Sequence, residues 1–303
     1  MGPCKLCGVD SILRLSHILP AFAIRWLRES SGGGHIRVSS SPNVRIQDGL
    51  KLYWLCDSCE DLLGKTETAF SNKLFYPYTE RIQSEFRYEN WLLHFCVSLS
   101  WRVLEYHRVN TTLEGYSHEE IKQIDKARTV WKEFLQGKRP HPGVYRQHLI
   151  PFEEIRSFTF PVEDVSPWIH RYLLRAIDMD LLRGKTTNVV YSKLGRFIIL
   201  GFIREDHPSR WQGAQVRAKK GTIEPRNYKL PIQFFRYINE RANKITRAML
   251  DISPRQQAKI DESLRENKER FIASDQFLAM QSDAQLFGIA AFDAGFPLGD
   301  QDG

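Results

Sequence analysis

Two C-x-x-C pairs constrain this chain more than any other feature: Cys4 and Cys7 in "CKLCG", and Cys56 and Cys59 in "LCDSCEDLLG". One tight turn in each unit aims two thiolates at a single point, so the two units together supply the four ligands of a closed tetrahedral zinc site. A disulfide framework is the competing use of cysteine. It fits poorly in a 303-residue chain with five cysteines and no apolar secretory leader after Met1. The expected cofactor is therefore a structural zinc ion, and the expected location is the cytoplasm. The fifth cysteine, Cys96, lies in the apolar run "WLLHFCVSLSW" and reads as a small buried side chain.

Length and charge add bounds. A chain of this length, 42% hydrophobic, can bury a substantial core and is expected to form about two domains. There is no run of eighteen or more apolar residues, so no membrane span is expected. The 43 Lys plus Arg against 36 Asp plus Glu suit a polyanionic partner, although the excess is diffuse.

Along the chain the pattern predicts an α+β protein. Residues 1–80 carry both cysteine pairs, a strand near Ile12–Leu15, a helix over Pro20–Arg28, a strand at Lys51–Leu55 and a helix from Asp57. Residues 81–160 are expected to be helical and then a linker. "YENWLLHFCVSLSWRVLEYH" is apolar nearly all round, Ser117 and Glu120 have capping-box spacing, and Gly137 with Pro140 ends the second helix. Residues 161–252 read as an α+β domain. A helix from Ser166 and Pro167 to Arg183 precedes a hairpin of "TTNVVY" and "RFIILGFI" across "SKLG". A second hairpin is expected around "VRAKKGTIEP", and a helix over Pro231–Leu250 follows. Residues 253–303 read as one helix after Ser253 and Pro254, then an acidic tail that frays.

Between the cysteine pairs stands "RLSHILPAF", with His17 before Pro20. The order C-x-x-C, "SHILP", C-x-x-C and an acidic helix start resembles the zinc-containing HNH endonucleases, over residues 1–80 only. The resemblance implies a zinc-bound ββα-metal, treble-clef domain in which His17 activates water and a second divalent cation, magnesium, neutralises the phosphate. A neutral imidazole suits that role, because its ordinary pKa of roughly 6.5 makes it a base near physiological pH. The implied activity is hydrolysis of phosphodiester bonds, with DNA as substrate. The family also suggests action against foreign or phage DNA, or alongside a protein partner or a second copy of the chain.

The sequence departs from the family pattern at the cation site. Ser16 stands where the family often has aspartate, and Glu60 stands after the last cysteine, where histidine or asparagine is common. Glu60 remains a competent ligand for a hard cation, with Asp48 a second candidate. The family's intermediate asparagine falls at Lys51, with Asn43, Gln47 and Asp48 as nearby substitutes. Glu67 lies seven residues after Glu60 on the same helix face and is expected to be part of a solvated surface.

Two basic stretches are candidates for nucleic-acid contact. Arg14, Arg25, Arg28, Arg37 and Arg45 flank His17 in sequence, with Gly32–Gly34 permitting close approach of backbone. Arg217, Lys219 and Lys220 are expected at a hairpin tip near Trp211 and Tyr228. A phosphate-binding loop and a nucleophile elbow are both excluded, since "GGGH" lacks the lysine of the first and no G-x-S-x-G is present. The alternative to a nuclease is a zinc module that binds nucleic acid or protein without cutting.

Overall fold

A computed structural model describes residues 1–111, 113–156, 164–225 and 228–293. The chain is mixed α and β, and it divides into two compact units. The first comprises residues 1–22, 49–151 and 177–229; the second comprises 23–48, 152–176 and 230–303. The units interleave along the sequence, an arrangement that four consecutive segments do not describe.

The first unit is organised around an antiparallel sheet of four strands: β8 (Gln147–Pro151), β9 (Ile177–Arg183), β10 (Thr187–Leu194) and β11 (Phe197–Glu205), in the order β8-β11-β10-β9. The expected β10–β11 hairpin is present, but Ser192–Leu194 belong to β10 and its turn is Gly195–Arg196, not all of "SKLG". Gly195, at φ +55°, supplies the left-handed backbone its tight turn requires. Helix α4 (Asn90–Asn110) packs across all four strands. The contact is close at Gly201, where a Cβ would stand 2.4 Å from Ser100 Oγ and 3.0 Å from the Trp131 ring. Trp131 belongs to α5 (His118–Leu135), which begins at the predicted Ser117–Glu120 capping box. Helix α2 (Asp57–Phe70) continues through a π-helical turn, Ser71–Phe75, into α3 (Tyr76–Thr79). This bend sets Phe70 against Phe95, stacked at 3.9 Å between ring centres, with Phe22, Phe75 and Phe197 around them.

Three expectations fail here for identifiable reasons. The helix expected to reach Arg183 ends at Arg175, and Ile177–Arg183 is a strand instead. "IDMDL" alternates apolar and acidic residues with period two, and Asp178 and Asp180 accept hydrogen bonds from the backbone N–H of Met179 and Leu181. Those carboxylates satisfy donors on the outer edge of a sheet whose last strand is β9. The second hairpin is also absent as drawn: β12 (Lys220–Ile223) pairs with β7 (Phe86–Glu89), so Gly221 opposes Tyr88 rather than forming a tip. Residues 81–140, read as helical, include that strand β7.

The second unit contains most of α1 (Ala21–Glu29) and a hairpin of β4 (Ile36–Val38) and β5 (Ser41–Ile46). It also holds α6 (Ile169–Arg175), α7 (Ile232–Leu250), α8 (Pro254–Glu266), α9 (Lys268–Ile272) and α10 (Asp275–Phe287). Arg175, 7% exposed, donates to the carbonyls of Leu27 and Ser30 and so satisfies the acceptors at the end of α1. The acidic tail is not a frayed end through Asp293. Asp283 of α10 is fully buried and accepts from the backbone N–H of His170 and Arg171, capping α6 from a distant helix. The acidic residues at Asp300 and Asp302 lie outside the described residues. Among the described residues, no helix is long and apolar enough to cross a membrane.

Candidate functional site

Local sequence builds the metal centre. In "CKLCG" the Gly8 N–H donates to the Cys4 carbonyl at 2.8 Å, and Gly8 takes φ +83°, so the turn folds Cys7 back towards Cys4. Lys5 N–H donates to the Trp54 carbonyl at 2.9 Å, which fixes the turn to β6 (Lys51–Leu55). Cys56 ends that strand as the N-cap of α2, and Cys59 falls in the helix's first turn.

The four Sγ atoms lie within 4.8 Å of one another, and Cys7 and Cys56 are 3.8 Å apart. A tetrahedral zinc with Zn–S bonds near 2.3 Å requires sulfur atoms about 3.8 Å apart, so the donor set and its spacing fit zinc. The thiols are not equivalent. The Ser58 hydroxyl, 3.3 Å away, and neighbouring groups bring Cys56 down to about 6, whereas burial pushes Cys59 and Cys7 up. Thiolate ligands need a cation to hold the buried charge, and a closed four-sulfur site supplies folding energy rather than an open position for water. Cys96 is fully buried, as expected, and its thiol is pushed up by that burial.

Beside the cysteines, β3 (Arg14–His17) pairs antiparallel with β6, His17 opposite Lys51, and α2 follows β6 directly. These two strands and one helix carry Ser16, His17 and Glu60. Ser16, 2% exposed, donates its hydroxyl to Glu60 Oε2 at 2.7 Å. His17, the next residue, is half-buried at the end of the strand. Ser16 thus orients the glutamate that follows the last cysteine.

One residue of this site escaped sequence reading. Arg102, 3% exposed in the middle of α4, forms an ion pair with Glu67 of α2 and donates from Nη1 to the His17 carbonyl at 3.1 Å. Glu67 is therefore no solvated-face residue; its carboxylate holds the guanidinium that anchors the end of β3. A charge inside an otherwise apolar helix was the available signal, because arginine is rarely buried without a partner.

The other candidates are distributed more widely. Arg14 is paired with Asp57, the first residue of α2. Arg217, Lys219 and Lys220 are exposed on the segment that runs into β12. In the second unit Asp48 and Arg25 are exposed, and Arg28 donates to the Gln47 carbonyl at 3.2 Å. Asn43 is committed to structure: it donates to the Asp251 carbonyl and accepts from Ser253 N–H, both at 2.8 Å, holding the turn between α7 and α8. Among the described residues, the four cysteines are the group of three or more His, Cys, Asp and Glu side chains placed to hold a metal ion. The chain matches no family model, no curated protein and no solved structure.

Proposed function

We propose that this chain is a metal-dependent endonuclease of the ββα type, with zinc held by Cys4, Cys7, Cys56 and Cys59 and with DNA as the substrate. The observation that carries the reading is the placement of His17 at the end of β3, one residue after the Ser16 that holds Glu60, on two strands and a helix joined to the four-cysteine cluster. In this reading His17 takes the proton of the attacking water. Glu60 would supply an oxygen ligand to a magnesium ion, which would neutralise charge developing on the phosphate, since magnesium is commonly held by one or two carboxylates. Arg102 is a positioning residue that acts on His17 through its carbonyl.

One observation favours a module that binds nucleic acid without cutting it. Glu60 is met by the neutral hydroxyl of Ser16, and among the described residues it belongs to no group of three or more metal-ligating side chains. A metal titration separates the two readings. For the nuclease, wild-type protein cuts plasmid DNA only with added Mg²⁺ or Mn²⁺, and Glu60→Gln raises the metal concentration needed for half-maximal rate. Cleavage that is indifferent to Glu60→Gln removes the proposed ligand, and absence of any cleavage at saturating metal leaves the binding module.

A further inference from the structure

The β4–β5 hairpin of the second unit carries a charge arrangement that folding alone does not favour. Arg37 and Arg45 are direct cross-strand partners. Side chains opposite each other on an antiparallel pair share one face, and like charges so placed destabilise it. His35 lies immediately before β4, and Arg45 and Arg37 both act on its ring.

Nothing acidic offsets these cations among the described residues. Arg37 is held by neutral acceptors, the Pro42 carbonyl and, at 3.1 Å, Gln256 Oε1. Its guanidinium is depressed first by burial and then by Arg45. The charges acting on His35 are likewise those of Arg45 and Arg37, and both add to its burial in lowering its pKa. The ring is fixed by a 2.6 Å contact between Nδ1 and the Gly33 carbonyl.

The glycines before the hairpin contribute by what they lack. A Cβ on Gly33 would stand 2.9 Å from the His35 ring, and one on Gly34, at φ +67°, would stand 3.4 Å from Arg270 Nη2. Their absence lets a third guanidinium, that of Arg270, lie against the loop that leads into β4.

We propose that the face of the hairpin bearing Arg37 and Arg45, with His35 just before it, is a binding site for a phosphate group, presented by the backbone of a polynucleotide. Its identification with a polynucleotide rests on the nuclease reading above; the phosphate chemistry does not. A phosphate accepts hydrogen bonds on several oxygens at once and suits two guanidinium forks better than a point cation does. Its charge removes the repulsion that the empty face carries.

The test uses the full-length, zinc-loaded chain in a His17→Ala background, so that cutting does not interfere, and compares it with the same chain carrying Arg45→Gln. Arg45 is exposed, and among the described residues its side chain makes no hydrogen bond, so Arg45→Gln is expected to keep the fold. Anisotropy of labelled single-stranded and duplex oligonucleotides is measured between about 50 and 200 mM salt, with pyrophosphate and polyglutamate as competitors. Arg45→Gln is expected to weaken binding several-fold without regard to base sequence, and to make the slope of log affinity against log salt shallower by about one unit, the loss of one phosphate contact. Should the chain bind no oligonucleotide but bind pyrophosphate in an Arg45-dependent way, the phosphate site stands and the polynucleotide source, with the nuclease reading, falls. Equal affinity and slope for the two proteins, or displacement by polyglutamate and not by pyrophosphate, overturns the proposal.

Discussion

Replacing Arg102 with methionine keeps most of the side-chain volume and removes the guanidinium from the interior of the first unit. Two losses follow. The His17 carbonyl loses a charge-assisted hydrogen bond at 3.1 Å, worth about 1.5–3 kcal/mol. Glu67 loses its cation, and breaking a fully buried pair costs roughly 3–5 kcal/mol. The Glu67 side chain retains 21% exposure, however, so water recovers part of the second term. Taken together the expected cost is about 3 kcal/mol, not the sum of the two. Urea unfolding of zinc-loaded protein, followed by tryptophan fluorescence and circular dichroism, measures it. In a double-mutant cycle Glu67→Gln already surrenders the ion pair, so the double variant is expected to lose at least about 1 kcal/mol less than the two single losses combined. A cost below about 1 kcal/mol for Arg102→Met, or strict additivity with Glu67→Gln, refutes the claim that this pair anchors the end of β3.

Other perturbations have defined outcomes. Cys56→Ser with Cys59→Ser is expected to abolish binding of one zinc per chain, measured by elemental analysis, and to expose the β3–β6–α2 region to proteolysis. Gly201→Ala places a methyl where Ser100 and Trp131 already stand; overpacking of that kind costs about 1–3 kcal/mol and is read as a lower denaturation midpoint. His148 is 4% exposed, and burial, then Arg146, depress it to about 4. A histidine depressed in the folded state favours folding above its unfolded pKa of about 6.5, and that contribution is lost as pH falls towards 4. The loss is on the order of 3 kcal/mol, and His148→Phe is expected to flatten the stability profile across that window.

What the sequence made legible was local. The C-x-x-C spacing announced four thiols converging on one point, Ser117 with Glu120 announced the start of α5, and the glycine in "SKLG" announced the β10–β11 turn. Each of these depends on residues a few positions apart. The pairing of β12 with β7, the capping of α6 by Asp283 and the Ser16–Glu60 contact depend on segments that meet only after folding, and no local pattern reports them. Ile177–Arg183 differs for another reason: Ser166 and Pro167 make a good helix start, but the alternation of "IDMDL" carries the period of a strand and ends the helix at Arg175. Arg102 lay in plain view within an apolar helix, but its partners did not.

The proposed role of His17 as the base for hydrolysis, in a fold held by zinc, is open to a direct test. Zinc content and cleavage, measured on the same preparations of wild type and His17→Ala, test it most directly. Plasmid, linear and single-stranded DNA, and RNA, serve as substrates with Mg²⁺, Mn²⁺ or no added metal. One zinc per chain is expected in both proteins, and metal-dependent cleavage of DNA in wild type alone. Equal cleavage by both, or two zinc-loaded proteins that bind nucleic acid and cut none of it, would contradict that role.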